Sequence, residues 1–218
     1  ITSDTIWSLF PELTNSNGVN QKNNAVYIQV DKDTNNVTIK TRLLFDNDYN
    51  NYEIASKLKT KHKQSQDIIN RIGEKYTLED LIVDGIKHRW SGEYVGSIYN
   101  FYPGMTVNVS VDIQRLYTFP EDTTLHYTIV HCLSSKGRAG TKRGREIKEN
   151  KQINLYIMGT GNTDTTYYEL TRYEGVIAHE FGHTLLLSDA YPNTTDNNGY
   201  APISSTSECK EIYYNNTG

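Results

Sequence analysis

The five residues HEFGH at 179–183 constrain this chain more than any other stretch. On an α-helix, His179 and His183 stand one turn apart on the same face, so both imidazoles reach one ion. The flanking residues favour the helix: Val176, Ile177, Phe181 and Leu185 recur at helical spacing and form an apolar face. A helix is therefore expected from near Glu169 to Leu187. Glu180 follows the first histidine and points to the flank of the shared ion, where it can take a proton from a bound water and pass it to a leaving amine. Gly182 costs about 1 kcal/mol inside a helix relative to Ala, which points to close approach of another segment.

An HExxH run on a helix is the ligand pattern of a zinc site. Zn2+ is the expected cofactor, because it polarises a scissile carbonyl and acidifies water without redox chemistry. A catalytic zinc takes a third protein ligand and keeps one position open. The sequence continues HEFGHTLLLSDAY, and Asp189 falls six residues after His183. This spacing resembles that of the metzincin family of zinc endopeptidases, whose extended motif is HExxHxxGxxH, or the same run ending in Asp. His179, Glu180 and His183 match it directly, and Asp189 matches the third-ligand position of the Asp variant. Two positions depart from the pattern. Leu186 stands where the family has Gly, so the chain must leave the helix by a different turn or run helical for longer. The only methionines, Met105 and Met158, lie upstream, so the family's Met-containing turn is absent, replaced, or lost with a C-terminal part. Asp196 and Glu208 are the alternative third ligands.

The remaining segments are strand-like or helical in turn. Ala25–Val30 and Val37–Phe45 read as a hairpin around DKDTNN, which opens like a calcium loop but lacks that loop's later Gly and Glu and reads as a polar turn. Tyr52–Ile72 reads as a polar, exposed helix. Thr77 and Asp80 open a second, TLEDLIVDGIKHRW, with Leu78, Leu81, Ile82, Ile86 and Trp90 on its buried face. Thr106–Phe119, Leu125–Leu133 and Ile153–Gly159 read as strands. The basic run SSKGRAGTKRGREIKEN between the last two reads as a mobile surface loop. His126 and His131 are expected on opposite strand faces, unable to share a metal. His62 and His88 read as helix-surface residues.

The expected fold class is α+β: a twisted, mostly parallel or mixed sheet with two main helices, zincin/metzincin-like, the active-site helix near the C-terminus. Residues 1–218 are expected to form one metallopeptidase domain, with an N-terminal subdomain to about residue 187 and a short C-terminal segment, 188–218. The resemblance further implies that Ile153, Asn154, Leu155, Tyr156 and Ile157 form the edge strand above the cleft, where an extended peptide substrate pairs by strand addition.

Charge and composition narrow the partners. A net charge of −4 gives no positive field to draw in phosphates, which argues against nucleic acid. No apolar run approaches the ~20 residues that span a bilayer. Cys132 and Cys209 form no metal-binding spacing; one disulfide tying the tail to the sheet and two unrelated thiols both remain open. Sequons occur at Asn36, Asn108, Asn193 and Asn215. The expected function is zinc-dependent endopeptidase acting on protein or peptide substrates outside the cell, its export signal not carried by this sequence. Two rival readings stand beside it: the peptidase domain of a secreted toxin or effector, and a non-catalytic binding domain with a structural or vestigial zinc site.

Overall fold

The structure, a computed structural model, describes residues 24–31, 34–45, 55–58, 60, 63–96, 105–142, 150–158, 167–185 and 187. By its internal contacts the chain divides into Ile1–Leu186 and Leu187–Gly218. Among the described residues the first of these units is α+β, with a mixed sheet and three helices.

Strands β1 (Val26–Asp31) and β2 (Asn36–Phe45) form the expected hairpin, Val26 pairing with Thr41 and Asp31 with Asn36. Asn35 turns the chain at φ 54°, a left-handed conformation that Asn tolerates better than most side chains. The Thr34 amide donates to Asp31 Oδ1 at 3.4 Å, which makes Asp31 part of a polar turn. Beyond β2 come helices α1 (Lys63–Ile72) and α2 (Leu78–Trp90), then β3 (Gly92–Gly96) and β4 (Met105–Leu116). Strands β5 (Thr128–Lys136), β6 (Gly140–Lys142) and β7 (Lys151–Met158) lead to α3 (Leu170–Thr184).

The sheet runs β3-β4-β2-β5-β7-β6, with β1 paired to β2 off this path. Pairs β2–β4, β2–β5 and β5–β7 are parallel; β1–β2, β3–β4 and β6–β7 are antiparallel. The crossover from β2 to β4 carries α1 and α2, as a parallel pair requires. In β7 burial alternates strictly, Ile153, Leu155 and Ile157 facing the core. In β2 the last three residues, Leu43, Leu44 and Phe45, are all buried, the mark of a central strand covered on both faces.

Helix α2 starts where its capping residues say it should. Thr77 Oγ1 accepts from the Asp80 amide at 3.1 Å, and the Thr77 amide donates to Asp80 Oδ2 at 3.1 Å. Its Leu78, Leu81, Ile82 and Ile86 are buried as expected, together with Val83. Helix α1 departs from the exposed reading: Ser65 and Ile68 are buried, and Ile69 and Ile72 pack against the core. The core gathers Leu43, Phe45, Leu81, Ile86, Val130, Ile153, Leu155, Tyr173, Ile177 and Phe181 in one cluster. No helix among the described residues is long and apolar enough to cross a membrane.

The basic run also differs from expectation. Residues Ser134–Lys136 extend β5, and Gly140–Lys142 fold back as β6. Gly137 permits that reversal: a Cβ there would sit 2.2 Å from the Tyr156 ring. His126 lies ahead of β5 rather than within it.

Candidate active site

Helix α3 carries the HEFGH run, and three sets of contacts fix it before its histidines are reached. The Tyr168 amide donates to the Ile157 carbonyl at 2.9 Å, tying the approach to the end of β7. Glu174, only 2% exposed, receives Arg71 of α1 on Oε1 and Arg89 of α2 on Oε2, the latter at 2.7 Å. A buried carboxylate is tolerable because it is paired and hydrogen-bonded. Arg71 also donates to Asp84 at 2.7 Å. Burial opposes its charge, yet Asp84 and Glu174 together hold the guanidinium pKa above its ordinary value. Gly85 of α2 lets the helices meet here, since a Cβ would stand 3.2 Å from Glu174 Cγ and 3.7 Å from Glu174 Cα. Gly182, where close approach of another segment is expected, is buried.

The third contact reaches the motif itself. Trp90 Nε1 donates to the Ala178 carbonyl at 2.9 Å, and its ring meets Phe181 edge-on with centroids 5.8 Å apart. The apolar stripe Leu170, Tyr173, Ile177 and Phe181 is buried in the core. Val176 and Leu185, expected on that face, are half-buried at its margin.

With the helix so held, His179 and His183 turn their Nε2 atoms toward each other at 3.1 Å, ring centroids 4.6 Å apart and planes 79° apart. A tetrahedral zinc with bonds of 2.0–2.1 Å holds two imidazole nitrogens about 3.3 Å apart. The pair fits as two ligands of one such ion with an adjustment of a few tenths of an ångström. His183 is buried and His179 half-buried.

Glu180 is 5% exposed. Thr141 of β6 places its hydroxyl 2.6 Å from Glu180 Oε2 and 3.0 Å from the Glu180 carbonyl oxygen. The helix then ends at Thr184, whose hydroxyl donates to the Phe181 carbonyl at 2.7 Å. The Leu185 amide donates to the Gly182 carbonyl at 3.0 Å, a tightened last turn, and Leu185 has φ −85° and ψ 12°. The helix therefore does not run on to Leu187.

Among the described residues no group of three or more His, Cys, Asp or Glu is placed to hold a metal. Asp189 lies outside the described residues, as do Leu186, Asp196, Glu208 and Cys209. His62, Asn193 and Asn215 lie outside them too. His88 is exposed on α2. Cys132 sits in β5 with Sγ 3.7 Å from the Tyr173 hydroxyl.

The edge strand expected at Ile153–Ile157 is a correction. β6 pairs with Gln152–Asn154, Tyr168 binds the Ile157 carbonyl, and Met158 bridges Tyr167. The side chains of Ile153, Leu155 and Ile157 are buried in the core. The described sheet ends on β6, which the basic composition of its segment disguised as loop.

Glu174, Arg71, Arg89, Trp90 and Thr141 were not among the expected site residues. Glu174 carried a signal, a carboxylate inside an apolar stripe, which calls for buried cationic partners. Thr141 carried none, because a three-residue strand has no readable periodicity. No family model, no curated protein and no solved structure matches this chain.

Proposed function

We propose that the chain is a zinc-dependent endopeptidase in which His179, His183 and Asp189 hold the metal and Glu180 is the general base. The observation that carries this reading is the 3.1 Å approach of His179 and His183 Nε2 on a helix anchored from three sides. Two imidazole nitrogens converging on one point make a bidentate site for a borderline cation. The mixed sheet and the capped helix α2 that precede α3 agree with the metzincin resemblance of the motif, and we read the fold as metzincin-like on that ground. Asp189 enters on its spacing alone.

Zinc, when bound, supplies a Lewis acid that acidifies a water and polarises the scissile carbonyl. The chain's own residues do the rest. His179 and His183 present two neutral nitrogens. Glu180 takes the proton of the attacking water and delivers it to the departing amine, so no covalent intermediate with the protein forms. β6, the last strand of the described sheet and tied to Glu180 through Thr141, offers the edge along which an extended peptide would pair.

The test is metal-dependent cleavage. Chain stripped of metal by a chelator should leave casein intact, and one equivalent of zinc should restore cleavage. His183→Ala should neither retain zinc at micromolar concentration nor cleave. A zinc-loaded chain that cleaves no protein or peptide sinks the reading and favours a binding domain with a structural metal.

A further inference from the structure

We propose that Thr141 is a positioning residue that commits one oxygen of the Glu180 carboxylate and leaves the other to move the proton. This inference rests on the reading of Glu180 as general base. The Thr141 hydroxyl lies 2.6 Å from Glu180 Oε2, the distance of a charge-assisted O–H···O hydrogen bond, and 3.0 Å from the carbonyl oxygen of the same residue. The hydroxyl has one proton, and the shorter distance assigns it to Oε2, with the carbonyl oxygen at its side. Among the described residues Thr141 is the one side chain hydrogen-bonded to the Glu180 carboxylate.

The strand register explains how a threonine comes to stand there. Thr141 is opposite Ile153 in the antiparallel β6–β7 pair, so its side chain shares the face on which Ile153 is buried. That face is the one α3 covers, and the β-branched side chain has few rotamers with which to leave it. Glu has three side-chain torsions, and a proton acceptor must sit within hydrogen-bond reach of its proton before its basicity matters. Fixing Oε2 on a strand removes most of that freedom and assigns the transfer to Oε1. A group built onto rigid elements in this way keeps its geometry between turnovers.

Thr141→Val removes the hydroxyl and keeps the shape; Thr141→Ser keeps the hydroxyl and loses a methyl. For Thr141→Val we expect kcat to fall about tenfold or more with KM and zinc affinity within about twofold of the unaltered chain. Thr141→Ser should recover most of that loss. Thermal unfolding of the metal-free variants should show both folded, which keeps the kcat change from being one of fold. Thr141→Val with unaltered kcat overturns the proposal, and so does Thr141→Ser as slow as Thr141→Val, because the effect is then one of packing. If the unaltered chain cleaves and Glu180→Gln does not, those outcomes sink the role of Thr141 alone. If the zinc-loaded unaltered chain does not cleave, the peptidase reading falls and takes this role with it.

Discussion

Trp90, the last residue of α2, donates its indole N–H to the carbonyl of Ala178, the residue immediately before His179. That carbonyl has two lone pairs, so it accepts from Trp90 in addition to serving its own helix. One helix end thereby sets the height and rotation of the first histidine. Trp90→Phe should keep the edge-on contact with Phe181 and lose the hydrogen bond, lowering stability by about 1 kcal/mol in urea unfolding. Trp90→Ala should lose the ring as well and cost about 3 kcal/mol, with zinc affinity reduced in parallel. Equal stability of Trp90→Phe and the unaltered chain would show that the bond contributes nothing.

Glu174 has two cationic partners, and each can partly stand in for the other. Arg89→Met leaves Arg71 on the carboxylate and should cost about 1 kcal/mol. Arg71→Met with Arg89→Met strands a carboxylate that is 2% exposed and should cost about 3–5 kcal/mol, more than the sum of the single changes. A double-mutant cycle by denaturant unfolding measures this. Strict additivity would contradict a shared anchor.

The α2 cap gives a pH signature of folding. Burial pushes the Asp80 carboxyl up, but the Thr77 amide and hydroxyl and then Arg115 outweigh it, holding the pKa below its ordinary value of 3.8. A carboxylate depressed in the folded state contributes stability above its unfolded pKa and loses it as pH falls through the folded value. Asp80→Asn should therefore be less stable than the unaltered chain at pH 7, with the gap closing as pH falls below 3.8. Thr77→Ala should cost about 1 kcal/mol at neutral pH. A gap for Asp80→Asn that stays constant down to acid pH would contradict the cap's charge.

The third ligand is decided by comparing three substitutions. Asp189→Ala should weaken zinc binding by about a hundredfold or more, while Asp196→Ala and Glu208→Ala leave it near that of the unaltered chain. Competition against a zinc-binding dye reads all three. Loss of affinity confined to Asp196→Ala or Glu208→Ala would reassign the ligand.

Much of the frame was legible from local chemistry. The capping pair Thr77 and Asp80 placed the start of α2 at Leu78, the strand-like run Val37–Phe45 beside a polar turn placed β2, and the alternation in Thr106–Phe119 placed β4. The histidine spacing foretold a shared face, and Nε2 atoms 3.1 Å apart follow from it. What escaped depends on partners distant in sequence. Arg71 and Arg89 look like surface cations until Glu174, 103 and 85 residues on, is buried between them. β6 escaped because Gly140–Lys142 is stabilised by pairing with Gln152–Asn154, and neither its composition nor its length announces a strand. The exposed reading of α1 failed because its Lys and Gln content drew attention from Ile68, Ile69 and Ile72, which recur at helical spacing and meet the core.

The central claim is that Glu180 is the base of a zinc peptidase, and Glu180→Gln tests it with the least disturbance. The amide keeps the size of the side chain and leaves His179 and His183 untouched. Both proteins, loaded with one equivalent of zinc, are incubated with a peptide mixture, and the products are followed by mass spectrometry. The account predicts equal zinc content, cleavage by the unaltered chain, and a rate at least about a hundredfold lower for Glu180→Gln. Zinc-loaded protein that cleaves equally well with Gln at this position, or that cleaves nothing with Glu, would contradict it.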